Sequence, residues 1–163
     1  MAIKQENRGY LSWAIIVGLT MIAGFSPTLF GITEAGDWYN SLPKPPGTPK
    51  PLIFPIAWTL IFLSIGWGAW FVHRTVTRSI RHRREALELY GAHLVVNAAW
   101  PIVFFGLQMV GIALLVLIAL IAIVGVLISR FWYIRPIAGM LLLPYMAWLC
   151  FAFYLNMGIW LSL

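Results

Sequence analysis

The chain has 163 residues, of which 61% are hydrophobic and only 10% charged, with eleven Lys and Arg against five Asp and Glu. So few charges cannot wet the surface of a soluble domain of this size, which excludes a water-soluble enzyme, a disordered chain and a nucleic-acid-binding protein. The net charge of +6 does not point to nucleic acid, because the basic residues flank apolar runs, and the single cysteine, Cys150, excludes an internal disulfide and a cysteine-based zinc site.

A bilayer core of about 30 Å needs roughly 20 apolar residues per helix. The charge-free runs therefore predict an all-α, single-domain bundle of five transmembrane helices over residues 10–30, 53–73, 87–106, 111–129 and 137–161, with a long loop at 32–52. The runs are continuous rather than alternating, which disfavours a membrane barrel. The first is longer than the apolar region of a signal peptide and has no small-x-small cleavage site before Glu34, so it reads as a retained helix. Nine Lys and Arg (4, 8, 74, 78, 81, 83, 84, 130, 135) fall on one side of this topology, and only Lys44 and Lys50 on the other. The bias predicts a bacterial cytoplasmic membrane with the N-terminus inside and the C-terminus outside. A mitochondrial outer membrane is the alternative.

In chain order, the loop carries Trp38 and Tyr39 and then five prolines between Pro43 and Pro51, which favour stiff, extended backbone. It reads either as an interfacial connector or as a lid over a cavity mouth. On the second helix Phe54, Trp58 and Phe62 share one face, while Trp67 and Trp70 take the opposite one, toward lipid or a partner. Ser64 and Gly68 have the spacing of a close helix–helix contact. The arginines from Arg74 to Arg84 read as a connection that contacts anionic lipid headgroups. On the third helix His93, Asn97, Trp100 and Phe104 share a face. Asn97 is far from any charge, so it serves either an interhelical hydrogen bond or a ligand; His93 reads first as packing, and no haem motif surrounds it.

The fourth helix offers no chemistry and reads as lipid-facing scaffold or packing surface. Leu127, Tyr133 and Arg135 match a loose sterol-contact pattern. On the fifth helix Pro144 suggests a kink, and Tyr145, Trp148, Ala152 and Asn156 share a face; Cys150 points elsewhere and reads as inert. No Asp or Glu lies inside a span, which counts against a proton-coupled pump. A lining of aromatic faces, two amides and an imidazole suits a large, flat, mostly apolar ligand. A porphyrin has that shape, with carboxylates at one edge that Lys44 and Lys50 could pair.

Three stretches carry a resemblance. Trp38-Tyr39-x-x-Leu42-x-Lys44-Pro45, with Pro49 and Phe54-Pro55-x-x-Trp58-Thr59, resembles the tryptophan-rich sensory protein (TspO) family, which includes the mitochondrial translocator proteins, or peripheral-type benzodiazepine receptors. Asn97-x-x-Trp100 followed by Phe104-Phe105-Gly106, and Pro144-Tyr145-x-x-Trp148 with Leu155-Asn156, are similar to its third- and fifth-helix motifs. The resemblance spans nearly the whole chain. It implies a five-helix bundle, a cavity opening toward the first loop, a homodimer, and ligands such as porphyrins, haem, sterols and benzodiazepine-type drugs. It carries over Phe54, Trp58, Asn97, Trp100, Tyr145 and Trp148 as cavity residues, with Trp58 and Trp148 as the pair linked to porphyrin breakdown. The chain departs from the pattern at Gly47 and Leu52, where Trp is common, at Lys50, where Pro is common, and at Phe62, often Tyr; the animal sterol motif after Leu155-Asn156 is missing.

Taken together, the candidate ligand-binding residues are Trp38, Phe54, Trp58, Phe62, His93, Asn97, Trp100, Tyr145, Trp148 and Asn156. The leading expectation is a sensor or carrier of porphyrin or haem in contact with membrane lipids. No cofactor is required, and no metal site is expected. The alternatives are a light- and oxygen-dependent protoporphyrin-degrading enzyme, with Trp58 and Trp148 catalytic, and a structural membrane subunit.

Overall fold

The computed structural model describes residues 2–32, 36–77 and 79–163, with the backbone alone for 2–8. Glu34, Arg78 and the side chains of Lys4 and Arg8, which enter the cleavage-site and charge arguments above, lie outside the described residues. Helix α1 (Ala2–Phe25) runs into a 3-10 turn at Ser26–Phe30. A short α2 (Asp37–Ser41) lies in the loop before α3 (Ile53–Arg74). Helix α4 (Ile80–Pro101) ends in a π-helical turn, Ile102–Gly106. Then follow α5 (Val110–Ile134), a one-turn α6 (Pro136–Met140) and α7 (Leu143–Leu161). Five segments are long and apolar enough to cross a membrane, and the described residues contain no strand.

Several boundaries differ from the sequence expectation, each for a local reason. The third span starts at Ile80, not at 87. Ser79 caps it by accepting from the His82 N–H at 3.3 Å, and the pairs Arg81–Glu85 and Arg84–Glu88, both at 2.7 Å, bridge successive turns. Much of the arginine connection is therefore helix. At the other end Pro101 has no N–H to give, and the chain widens into the π turn, closed by Leu107 N–H to the Ile102 carbonyl at 2.8 Å. The break expected around 106–111 falls on residues 107–109, with Gln108 in the left-handed region at φ 57°. Pro144 does not kink a helix: it sits in the first turn of α7, where its missing N–H costs nothing.

Helix α3 packs between α1 and α6, while α5 packs against α4, α6 and α7. Trp67, 43% exposed, keeps part of its ring on the outer surface as expected, while Trp70 is half-buried, and both also contact α1. Trp67 lies edge-on to Trp13 at 5.9 Å, and Trp70 Nε1 donates to the Gly9 carbonyl and to Ser12 Oγ, both at 3.3 Å, so both belong to the α1–α3 seam. The Ser64/Gly68 contact is also internal. Ser64 Oγ donates to the Leu141 carbonyl at 2.7 Å, and a Cβ on Gly68 would come within 3.1 Å of the Ala138 carbonyl. Helix α5 is a packing surface: Leu117, Leu120, Val124, Leu127 and Phe131 are all in the core. In a bilayer such interdigitation, more than hydrophobic transfer, holds helices together. The sterol pattern dissolves here, since Leu127 is fully buried and the Arg135 guanidinium covers the Phe71 ring at 4.5 Å.

Candidate functional site

The aromatic face of α3 points inward and meets α7. Trp58 stacks on Phe62 (5.3 Å between centroids, 21° between planes) and lies edge-on to Tyr145 at 6.3 Å and to Trp148 at 6.1 Å. Phe54 lies edge-on to Trp148 at 6.0 Å. The buried Tyr145 hydroxyl donates to Asn97 Oδ1 at 2.8 Å, joining α7 to α4. Trp148 Nε1 is buried with no acceptor among the described residues.

These rings border two small compartments. The first lies between the end of α1, the start of α3 and the end of α4; Trp58, Phe62, Asn97 and Trp100 line it, together with Phe25 and Phe105. The second lies under the loop, bordered by Tyr39, Phe54, Trp100, Phe104, Phe105 and Asn156. They hold about 80 and about 30 Å³, whereas pockets for drug-sized ligands run to about 300–1,000 Å³. Trp100 and Phe105 border both, so they form the wall between them. On the opposite side of the first compartment Phe62 occupies the face of Trp58. It is wedged so tightly against α1 that a Cβ on Gly24 would lie 2.3 Å from the Phe62 ring.

The loop is docked onto this region. Trp38 lies edge-on to Phe104 at 5.6 Å, and Tyr39 to Phe105 at 5.4 Å. The Tyr154 hydroxyl donates to the Pro46 carbonyl at 2.9 Å, and Pro45 rests on Gly158, where a Cβ would be 2.7 Å from it. Gly47 takes φ +81°, a left-handed turn that a Trp in its place would adopt only with strain. Lys44, though exposed, folds back on its own loop. Its Nζ donates to the carbonyls of Tyr39 (2.8 Å), Asn40 (3.2 Å) and Leu42 (3.3 Å), closing the end of α2. It is a loop staple here, not a free partner for a ligand carboxylate; Lys50 is exposed.

Of the ten candidate residues, Phe54, Trp58, Phe62, Asn97, Trp100 and Asn156 border a compartment. Tyr145 and Trp148 stand behind Trp58, and Trp38 behind Phe104. Asn156 is committed to the protein at both ends: Oδ1 accepts from Trp100 Nε1 at 3.3 Å, and Nδ2 donates to the Val110 carbonyl at 2.9 Å. His93 borders neither compartment. Its Nδ1 bonds the Tyr90 carbonyl at 2.7 Å, its Nε2 is buried with no partner among the described residues, and its ring lies edge-on to Tyr145 at 5.7 Å between centroids. The α1 wall (Gly24, Phe25, Pro27, Thr28) was not expected from the sequence, because the first helix carries no polar or aromatic stripe that singles out a face.

A sequence profile described as the TspO/MBR family matches residues 16–161. The chain is 32% identical to the translocator protein of Bos taurus over 151 residues, which is 91% of this chain and 89% of that protein. It is 30% identical to the tryptophan-rich protein TspO of Chlorobaculum tepidum over 94% of this chain and 96% of that one. It is 29% identical to the tryptophan-rich sensory protein of Cereibacter sphaeroides over 90% and 89%.

Proposed function

The chain belongs to the TspO/MBR family of integral, multi-pass membrane proteins, and on that premise we propose that it binds a porphyrin, protoporphyrin or haem, as a sensor or carrier that adjusts tetrapyrrole levels. The observation that carries this reading is the ring cluster around Trp58, bordered by the Asn97 amide and by a docked loop. A flat macrocycle stacks well on an indole face, and one amide is enough to orient it. Phe62 now holds that face of Trp58, and Trp100 divides the space, so entry requires both rings to turn aside. Once they do, the two compartments become one slot under the loop.

Titrating protoporphyrin into the purified full-length protein in detergent, in the dark, and following Trp fluorescence tests this. Saturable binding at micromolar or lower concentration is expected. Loss of at least about tenfold in affinity is expected for Trp58→Ala, the equivalent of about 1.4 kcal/mol. Absence of saturable binding by the wild type refutes the reading.

The contact of Trp58 with Trp148, and the unpartnered Trp148 N–H, favour a second reading, light- and oxygen-dependent breakdown of the bound porphyrin. Illumination should then deplete the porphyrin band faster in the wild type than in a Trp58→Phe/Trp148→Phe double variant. Equal bleaching leaves only ordinary photochemistry.

A further inference from the structure

An open feature larger than either compartment lies outside the ring cluster, along the seam between α1 and α4. One end is a cleft of about 510 Å³, lined by Ile15, Leu19, Leu87, Gly91 and Leu94, with His73 at its charged end. Past Leu19, Gly91 and Leu94 the seam continues for about 550 Å³ more, to Ala98 and Ile102. Its floor offers no free polar group. Thr20 gives its proton to the Ile16 carbonyl at 2.7 Å, so the Tyr90 hydroxyl, 2.7 Å from Thr20 Oγ1, is the donor to it. What remains is an apolar trough. From Leu87 to Ile102 it runs about 22 Å along α4 at the helical rise, more than the roughly 15 Å of hydrocarbon in one leaflet.

The charges at the mouth are sorted. Arg81 and Arg84 are each paired with a glutamate one turn on. Arg83, one turn before Leu87 on the groove face, bonds only a backbone carbonyl, that of Thr75, at 3.2 Å. The Arg74 guanidinium lies 3.3 Å from the Cβ position of Gly9, one turn from Ser12 at the groove edge. Neither Arg74 nor Arg83 has an acidic partner among the described residues. Two guanidinium groups with no counter-ion among the described residues, beside an apolar trough long enough for an acyl chain, complement one kind of molecule.

We propose that the α1–α4 groove is a binding site for an anionic glycerophospholipid, with one acyl chain along Leu87, Gly91 and Leu94 and the phosphate held by Arg74 and Arg83. Guanidinium groups match phosphate geometry, and a net negative headgroup is not opposed by a second cation of its own. The site is independent of the porphyrin reading and shares none of the compartment residues.

Native mass spectrometry of the full-length protein in nonionic detergent, with added dioleoyl phosphatidylglycerol or dioleoyl phosphatidylcholine, tests it. The wild type should carry one phosphatidylglycerol per chain, with at least a fivefold preference over phosphatidylcholine. Gly91→Leu places its side chain in open space, since nothing lies within 4 Å of a Cβ there, and it replaces a poor helix former by a good one. It should lower phosphatidylglycerol occupancy at least fivefold. The exposed-end variant Arg74→Gln/Arg83→Gln should bind the two lipids equally. Equal occupancy by both lipids in the wild type, or unchanged phosphatidylglycerol binding in both variants, overturns the proposal. So does efficient disulfide cross-linking of Gly91→Cys in a Cys150→Ala background, which would mean that a second copy covers the groove.

Discussion

Helix α3 carries two aromatic groups of similar composition with different surroundings. At one end Trp70 has both of its neighbours on α1 as acceptors, and Trp67 closes on Trp13; the rings and their hydrogen bonds are spent on joining two helices. At the other end Trp58 is ringed by Phe62, Tyr145 and Trp148 and borders open volume. An unpartnered indole N–H does not by itself distinguish the two, because Trp13 has one as well as Trp148. The difference is what lies beyond the ring: another helix in one case, a compartment with an amide in the other. A tryptophan count therefore says little about a site, while the neighbours of each indole say a great deal.

The comparison is broken most directly by a pair of truncations. Trp58→Ala should weaken porphyrin binding at least tenfold, whereas Trp70→Ala should lower the melting temperature and leave the dissociation constant within about twofold, since it removes packing remote from the compartments. Parallel titrations and thermal melts of the two variants check this; equal losses of affinity would erase the distinction. Phe62→Ala sharpens it. Removing a buried ring should cost about 3–5 kcal/mol of stability, yet it frees the face of Trp58, so porphyrin should bind faster and at least as tightly, read by stopped-flow quenching.

Tyr145→Phe has a smaller effect of a different kind. It leaves Asn97 Oδ1 without its donor, at a cost of about 1–3 kcal/mol, seen as a lower melting temperature with the ring contacts to Trp58 kept. Gly158→Ala should push Pro45 off α7 and loosen the loop, raising the porphyrin association rate while changing stability little. Glu85→Gln, which breaks an exposed pair far from either aromatic group, should leave both melting temperature and binding unchanged.

The candidate site was partly legible before folding. The faces Phe54/Trp58/Phe62 and Tyr145/Trp148 follow from helical spacing, and the Asn97 amide stood out because a polar group deep in a span needs a partner. Its partner did not stand out. The Tyr145 hydroxyl is 48 positions away, and only the crossing of α7 over α4 brings the two together. Lys44 shows the same limit in reverse: its charge suggested a ligand contact, but the carbonyls at the end of α2 lie within its reach and take it first. Asn156 likewise turns out to be consumed, by Trp100 and the start of α5.

Composition and the spacing of charges were sufficient to determine an all-helical chain with five membrane-length helices, because those properties are local and a bilayer sets the length of each apolar run. The resemblance of three motifs indicated the family for the same reason, since the motifs are contiguous in the chain. The tertiary structure decided the rest: that Phe62 rather than open space faces Trp58, that Trp100 and Phe105 wall one compartment from the other, and that the loop rests on Gly158. Those outcomes depend on how closely helices distant in sequence approach one another, and that distance is set by packing between side chains that no local pattern brings together.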